Sequence, residues 1–165
     1  MKIILNLKTL ALCFIAISFA SCDEGGEPEP GGTSMEQYAG DWWITLTDSD
    51  GETVVEHALH STYNAAANDN TMWVDDHLGG YALKSKVNVN MEDGTFSAVD
   101  AENISLEDQG TVTITEGRII KGGGTSRGGH VVDSIYFRVH FSYDDPGYDI
   151  IHAGHKRTGF LEDEY

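Results

Sequence analysis

Cysteine is nearly absent from this chain: its 165 residues contain two, Cys13 and Cys22. Nothing beyond residue 22 can form a disulfide, so packing and backbone hydrogen bonds must hold the fold together. Cations are scarce as well, with 10 Lys and Arg against 27 Asp and Glu and a formal net charge of −17. Nucleic-acid binding needs clustered Lys and Arg that displace counterions, so this charge balance excludes it. The same field opposes adsorption to anionic lipid headgroups, and any membrane attachment needs a separate anchor. The longest apolar stretch lies between Ile3 and Phe19, too short and too basic at its start for a membrane-spanning helix. Local catalytic signatures are missing too: there is no Gly-x-Ser-x-Gly, no His-Glu-x-x-His and no calcium-loop spacing. No cofactor is expected.

The first 22 residues carry Lys2 and Lys8, the apolar stretch and then Phe19-Ala20-Ser21-Cys22. A basic start, a short apolar core and small residues before a cysteine read as an export signal over residues 1–21. Its end resembles the bacterial lipobox, which makes Cys22 the diacylated first residue after cleavage and places the chain in the bacterial cell envelope, anchored to the outer membrane. The acidic Asp23-Glu24 that follows is compatible with surface exposure. Cleavage leaves 144 of 165 residues and removes two lysines, so the charge moves from −17 to −19. Residues 22–33, rich in Gly, Glu and Pro, hold nothing to bury and read as a tether. Residues 34–165 suffice for one domain.

Ser34-Met35-Glu36-Gln37 matches a capping box and predicts one helical turn before Gly40. From Asp41 onward the dominant period is two, with strand-forming residues between turn signals, so the domain is expected to be all-β. Eight strands are predicted: 41–47, 53–63, 71–76, 81–90, 95–100, 111–121, one around Ile135–Phe141 and one over 149–157. Tyr81, Leu83, Val87 and Val89 share a face opposite Lys84, Lys86, Asn88 and Asn90. In the sixth strand Ile114 and Ile119 have opposite parity, which predicts a bulge at Gly117. The glycine-rich segment 122–129 reads as a mobile hairpin loop able to gate a barrel mouth. Short turns and no second helical layer favour an eight-stranded antiparallel up-and-down barrel, with a two-sheet sandwich as the competing arrangement.

Gly40-Asp41-Trp42 after a helical turn resembles the Gly-x-Trp that opens the first strand of lipocalins and other calycins. That resemblance implies a tryptophan closing one barrel end, with a basic residue from the last strand across its ring, Arg157 or, as second choice, Lys156. Thr62-Tyr63-Asn64-Ala65-Ala66, Met72-Trp73-Val74-Asp75-Asp76, Asp133-Ser134-Ile135 and the terminal 154–165 segment together resemble the small Bacteroidota lipoprotein family described as lipid-binding putative hydrolases. The resemblance implies a lipocalin-like barrel and carries over no catalytic residue.

An eight-stranded barrel is wide enough to be filled by its own side chains or to enclose one small ligand. Tyr63, Trp73, Tyr81 and Phe137 are the candidate walls of a cavity for an apolar or lipid-like ligand, with His155 as a polar contact; ordinary core packing is the competing reading. Seven histidines among many carboxylates raise a metal centre. Within each strand, however, His57 and His60 differ in parity, as do His152 and His155, and Asp75 and Asp76 point opposite ways, so no metal is expected. Asp133-Ser134, at a strand start, offers no nucleophile with its base. Three functions follow: a lipid-anchored binder, a hydrolase of lipid or ester-like substrates, and a filled barrel serving as an interaction module.

Overall fold

A computed structural model describes residues 32–165. The expected export signal, the expected acylation site Cys22 and most of the expected tether lie outside the described residues. A 3-10 turn over Glu36–Tyr38 leads into eight strands: β1 Gly40–Thr47, β2 Thr53–Asn64, β3 Thr71–Asp75, β4 Lys84–Val89, β5 Thr95–Glu102, β6 Thr111–Thr125, β7 Val131–Phe141 and β8 Ile150–Lys156. Each pairs antiparallel with its sequence neighbour, and β8 returns to β1 to close the barrel. The sandwich is thereby eliminated. Closure follows from the sequence: the strands carry apolar residues on one parity, and among the described residues no helix covers an open edge.

The alternation sorts the wall. Trp42, Ile44 and Leu46 of β1, Phe137, Val139 and Phe141 of β7, and Ile150 of β8 are buried inside. In β6 the ladder slips between Thr115 and Arg118, and this bulge turns Ile119 inward after Ile114. Gly117 is required there because a Cβ would collide with the Phe96 carbonyl and ring.

Three local expectations are corrected. The capping box does not form: the Ser34 hydroxyl instead bonds Asn64 Oδ1 (3.1 Å) and the Asp69 carbonyl (2.6 Å), tying the entry turn to the β2–β3 connection. β4 begins at Lys84, not Tyr81, because Ala82 takes a left-handed φ of 55° and breaks the strand. The glycine-rich segment is no mobile gate, since Gly124 and Thr125 pair with Val132 and Val131. The remaining turn is closed by Ser126, and Asp163 accepts from the Gly128 amide at 2.6 Å.

Up-and-down connectivity gives the barrel two distinct ends. One gathers the 3-10 turn, the connections 65–70, 90–94 and 126–130, and the C-terminal segment. The other gathers 48–52, 76–83, 103–110 and 142–149.

Candidate ligand site

The first end is sealed by Trp42. Its Nε1 donates to Thr62 Oγ1 (2.9 Å), whose hydroxyl donates to the Tyr38 carbonyl (2.6 Å). Lys156, not Arg157, lies across the ring, with Nζ 5.8 Å from its centroid and donating to the Ala39 carbonyl at 3.1 Å. Register is the reason: Trp42 stands directly opposite Lys156 on β8, so both side chains point inward. Arg157, one residue on, sits outside over Trp43 at 5.6 Å and makes a bidentate pair with Glu164. Gly40 makes room for this arrangement, because a Cβ there would approach Lys156 Cε to 2.7 Å.

The rest of the interior is different in kind. His60, His152 and Asp76 are completely buried among the apolar side chains. His60 comes from β2, His152 from β8, and Asp76 from the first residue of the β3–β4 connection. The two imidazoles meet edge to face at 5.4 Å, and His152 stacks on Phe137 at 4.4 Å. Gly80 brings the 76–83 backbone down onto this group: a Cβ there would stand 2.9 Å from Asp76 Oδ2 and 3.3 Å from His60 Cε1. His60 Nδ1 bonds the Ala58 carbonyl at 3.3 Å, whereas His60 Nε2, both nitrogens of His152 and Asp76 Oδ2 have no partner. Burial pushes His60 down to about 4, against the opposing charge of Asp76. Burial, then His60, holds His152 well below the ordinary histidine range. Both rings are neutral at pH 7 and offer acceptors and an N–H, but no cation.

Aromatic and acidic groups cover the trio at this end. Tyr81 packs against Phe141 at 4.9 Å and donates to Asp144 Oδ1 at 3.3 Å. Burial raises the Asp144 carboxyl despite that bond, and burial together with Asp144 pushes Tyr143 up to about 12.

Of the five residues expected to line a cavity, Phe137 is inside, at the centre of this group, and Tyr81 belongs to its cover. Tyr63 and Trp73 are not interior: they are cross-strand partners on the outer face, because the inward parity of β2 and β3 belongs to Thr62, Met72 and Val74. His155 also faces out, its Nε2 3.4 Å from the Tyr165 hydroxyl. Trp73 and Lys86 instead border an external groove of about 200 Å³ with Ala101, Glu102 and Ile104.

Sequence reasoning missed His60, His152 and Asp76. Parity tested pairs within one strand, and two strands flanking β1 can each send one histidine inward. The available signal was that His60 shares parity with Ala58 and Thr62, and His152 with Ile150. Among the described residues no group of three or more His, Cys, Asp or Glu has metal-holding geometry.

A family model described as lipid-binding putative hydrolase matches residues 27–161. No curated protein matches the chain. With the barrel and its divided interior in view, the chain belongs to the lipid-binding putative hydrolase family.

Proposed function

We propose that this chain is a cell-envelope lipoprotein, anchored through acyl chains on Cys22, whose barrel takes one neutral, hydroxyl-bearing lipid-like molecule beneath the 76–83 connection. The observation that carries this reading is the set of orphaned polar atoms on His60, His152 and Asp76. Buried polar groups in folded proteins are nearly always paired, and each exception calls for an explanation. Here a hydroxylated head donates to His60 Nε2 or Asp76 Oδ2 and accepts from His152. Neutral imidazoles beside a carboxyl group give a fatty-acid carboxylate nothing to pair with. The alkyl chain takes its place against Phe137 and Phe141, beneath Tyr81 of the 76–83 connection.

The test is native mass spectrometry of the full chain carrying Cys22→Ser, incubated with a monoacylglycerol, a fatty alcohol and a fatty acid. Stoichiometric retention of the first two and loss of retention in His152→Phe support the site. Equal binding by His152→Phe, or preference for the acid, rejects it. Radiolabelled palmitate incorporated by the wild type and not by Cys22→Ser tests the anchor.

A further inference from the structure

On the outer wall, one register row runs across four strands: Asp41 of β1 opposes Ser61 of β2, Ser61 opposes Asp75 of β3, and Asp75 opposes Lys84 of β4. His77, two residues past Asp75, folds back over this row, with its Nε2 2.8 Å from Ser61 Oγ and its Nδ1 3.8 Å from Asp75 Oδ1. We propose that Ser61, His77 and Asp75 form a nucleophile, general base and positioning carboxylate that hydrolyse carboxylic esters with an apolar acyl chain.

Several independent features support that assignment. Asp75 is fixed by three donors: the Tyr63 hydroxyl at 2.8 Å, Lys84 Nζ at 2.7 Å and the His77 amide at 3.0 Å. Burial alone would raise its carboxyl, but these bonds hold it below the usual range, so it faces His77 as an anion. His77 and Leu78 are consecutive non-glycine residues in the left-handed region, with φ of 50° and 61°. Such strain persists only where the surroundings impose it, and it gathers at functional sites. Here it turns the imidazole towards Ser61. The ring is half exposed, at 47 %, so substrate can reach it. At 3.8 Å the carboxylate is beyond hydrogen-bond distance of the ring and acts on it by charge, the contact tightening only when substrate binds. Beside the row, Tyr63 pairs with Trp73, which borders the external groove with Ala101, Ile104, Lys86 and Glu102; Trp73, Ala101 and Ile104 give the acyl chain an apolar wall between those two charges.

The chemistry balances without a further reactant. Ser61 Oγ attacks the ester carbonyl while its proton passes to His77 Nε2, and that proton leaves with the alcohol as the C–O bond breaks. Water then attacks the Ser61 ester, His77 takes its proton and returns it to Ser61, and the acid departs. The developing oxyanion lies between Arg157 and Lys84, the cations bound to the two flanking aspartates. Asp41 is a competitor: its Oδ1 accepts the Ser61 hydroxyl hydrogen at 2.6 Å in the resting arrangement, so His77 Nε2 donates to Ser61 there and becomes the base only when the hydroxyl turns to it and the ring carries its hydrogen on Nδ1. The site therefore rests in a restrained state, and Asp41→Asn should raise the rate several-fold.

The experiment is hydrolysis of p-nitrophenyl esters of increasing acyl length by the full-length protein, with fluorophosphonate labelling and peptide mapping. A phosphonyl adduct on Ser61, together with a fall in kcat/KM of at least about 100-fold in Ser61→Ala and in His77→Gln, is expected. Asp75→Asn should move the midpoint of the pH–rate profile downward, a change that a merely structural carboxylate would not produce. Absence of an adduct on Ser61, or undiminished hydrolysis by Ser61→Ala, overturns the proposal. It does not depend on the interior ligand site: lipid retention measured on Ser61→Ala reads that site separately, so loss of hydrolysis with retention intact and loss of retention with hydrolysis intact are distinguishable failures.

Discussion

The two ends of the barrel interior handle buried polarity in opposite ways. At the Trp42 end the indole, the Thr62 hydroxyl and the Tyr38 carbonyl form an unbroken chain of hydrogen bonds, and Lys156 bonds the Ala39 carbonyl. Beneath the 76–83 connection, His60 Nε2, Asp76 Oδ2 and both nitrogens of His152 are equally buried and unpaired. Satisfied polar groups rigidify a core, whereas orphaned ones lower its stability by roughly 1–3 kcal/mol each. The sealed end acts as the anchor of the fold, and under the proposed function the other half trades stability for the capacity to bind.

Truncating the anchor should have the largest effect. Trp42→Ala removes a fully buried indole together with its hydrogen bond to Thr62 Oγ1, so a loss of about 3–5 kcal/mol is expected in urea unfolding. Phe137→Ala removes an equally buried ring from the other half, beside the unpaired histidines. If the two variants lose the same amount with the same unfolding slope, the division between anchor and binding half is wrong.

Acid should act next, and on the binding half. The unfolded chain protonates His60 near the ordinary 6.5, while the folded chain resists until about 4. Between those values the unfolded state holds more protons, so stability is complete above about pH 6.5 and falls as the pH drops towards 4. The contribution is roughly 3 kcal/mol from His60, with His152 acting in the same direction. Asp163, held down to about 2 by Ser126, Thr158 and Gly128 against burial, is shifted in the same direction for a different reason, its charged form being favoured by hydrogen bonds, and its share is lost below about pH 4. Urea midpoints at pH 7.5 and 4.5 should converge in a His60→Phe, His152→Phe double variant. An undiminished acid loss in that variant would assign the effect elsewhere.

Substitutions of opposite sign sharpen the same comparison. Thr62→Val should lose about 1–3 kcal/mol, since it strands both the Trp42 Nε1 donor and the Tyr38 carbonyl. His152→Phe exchanges two unpaired nitrogens for an apolar ring against Phe137 and should gain about 1 kcal/mol at pH 7. Equal destabilisation by both would mean that the histidine is a satisfied structural element.

Much of this fold was legible because strand parity is a local property. The order of all eight strands and the Gly117 bulge follow from alternation and turn chemistry between neighbours in sequence, whereas the Trp42 plug comes from the resemblance of Gly40-Asp41-Trp42 to the calycin Gly-x-Trp. What parity within a strand leaves open is which residues meet around the closed wall. His60 and His152 converge only because β8 returns to β1, and Ser61 meets His77 only because Asp75 starts a turn that reverses the chain. Tyr63 and Trp73 were placed inside on aromatic character, although the parity of Thr62, Met72 and Val74 assigns the interior to the other face. The glycine run was read as a loop from composition, but its residues extend β6 because β7 offers partners through Val131.

The choice between Lys156 and Arg157 as the cation of the seal gives the smallest effect and the finest test. Both lie over tryptophans, at 5.8 Å from Trp42 and 5.6 Å from Trp43. Their settings differ: Lys156 is turned inward on a fully buried ring and bonds a backbone carbonyl, while Arg157 sits outside in an ion pair with Glu164. Surface ion pairs are screened by salt, whereas a cation held against a buried ring is screened much less. Lys156→Met should therefore lower stability by about 0.5–1 kcal/mol at low and at high salt alike. Arg157→Met should have an effect only at low salt, fading as sodium chloride is raised. Thermal melts of both variants across a salt series give the answer directly. A Lys156 effect that vanishes with salt would transfer the seal to Arg157, and the register opposite Trp42 would then have no energetic meaning.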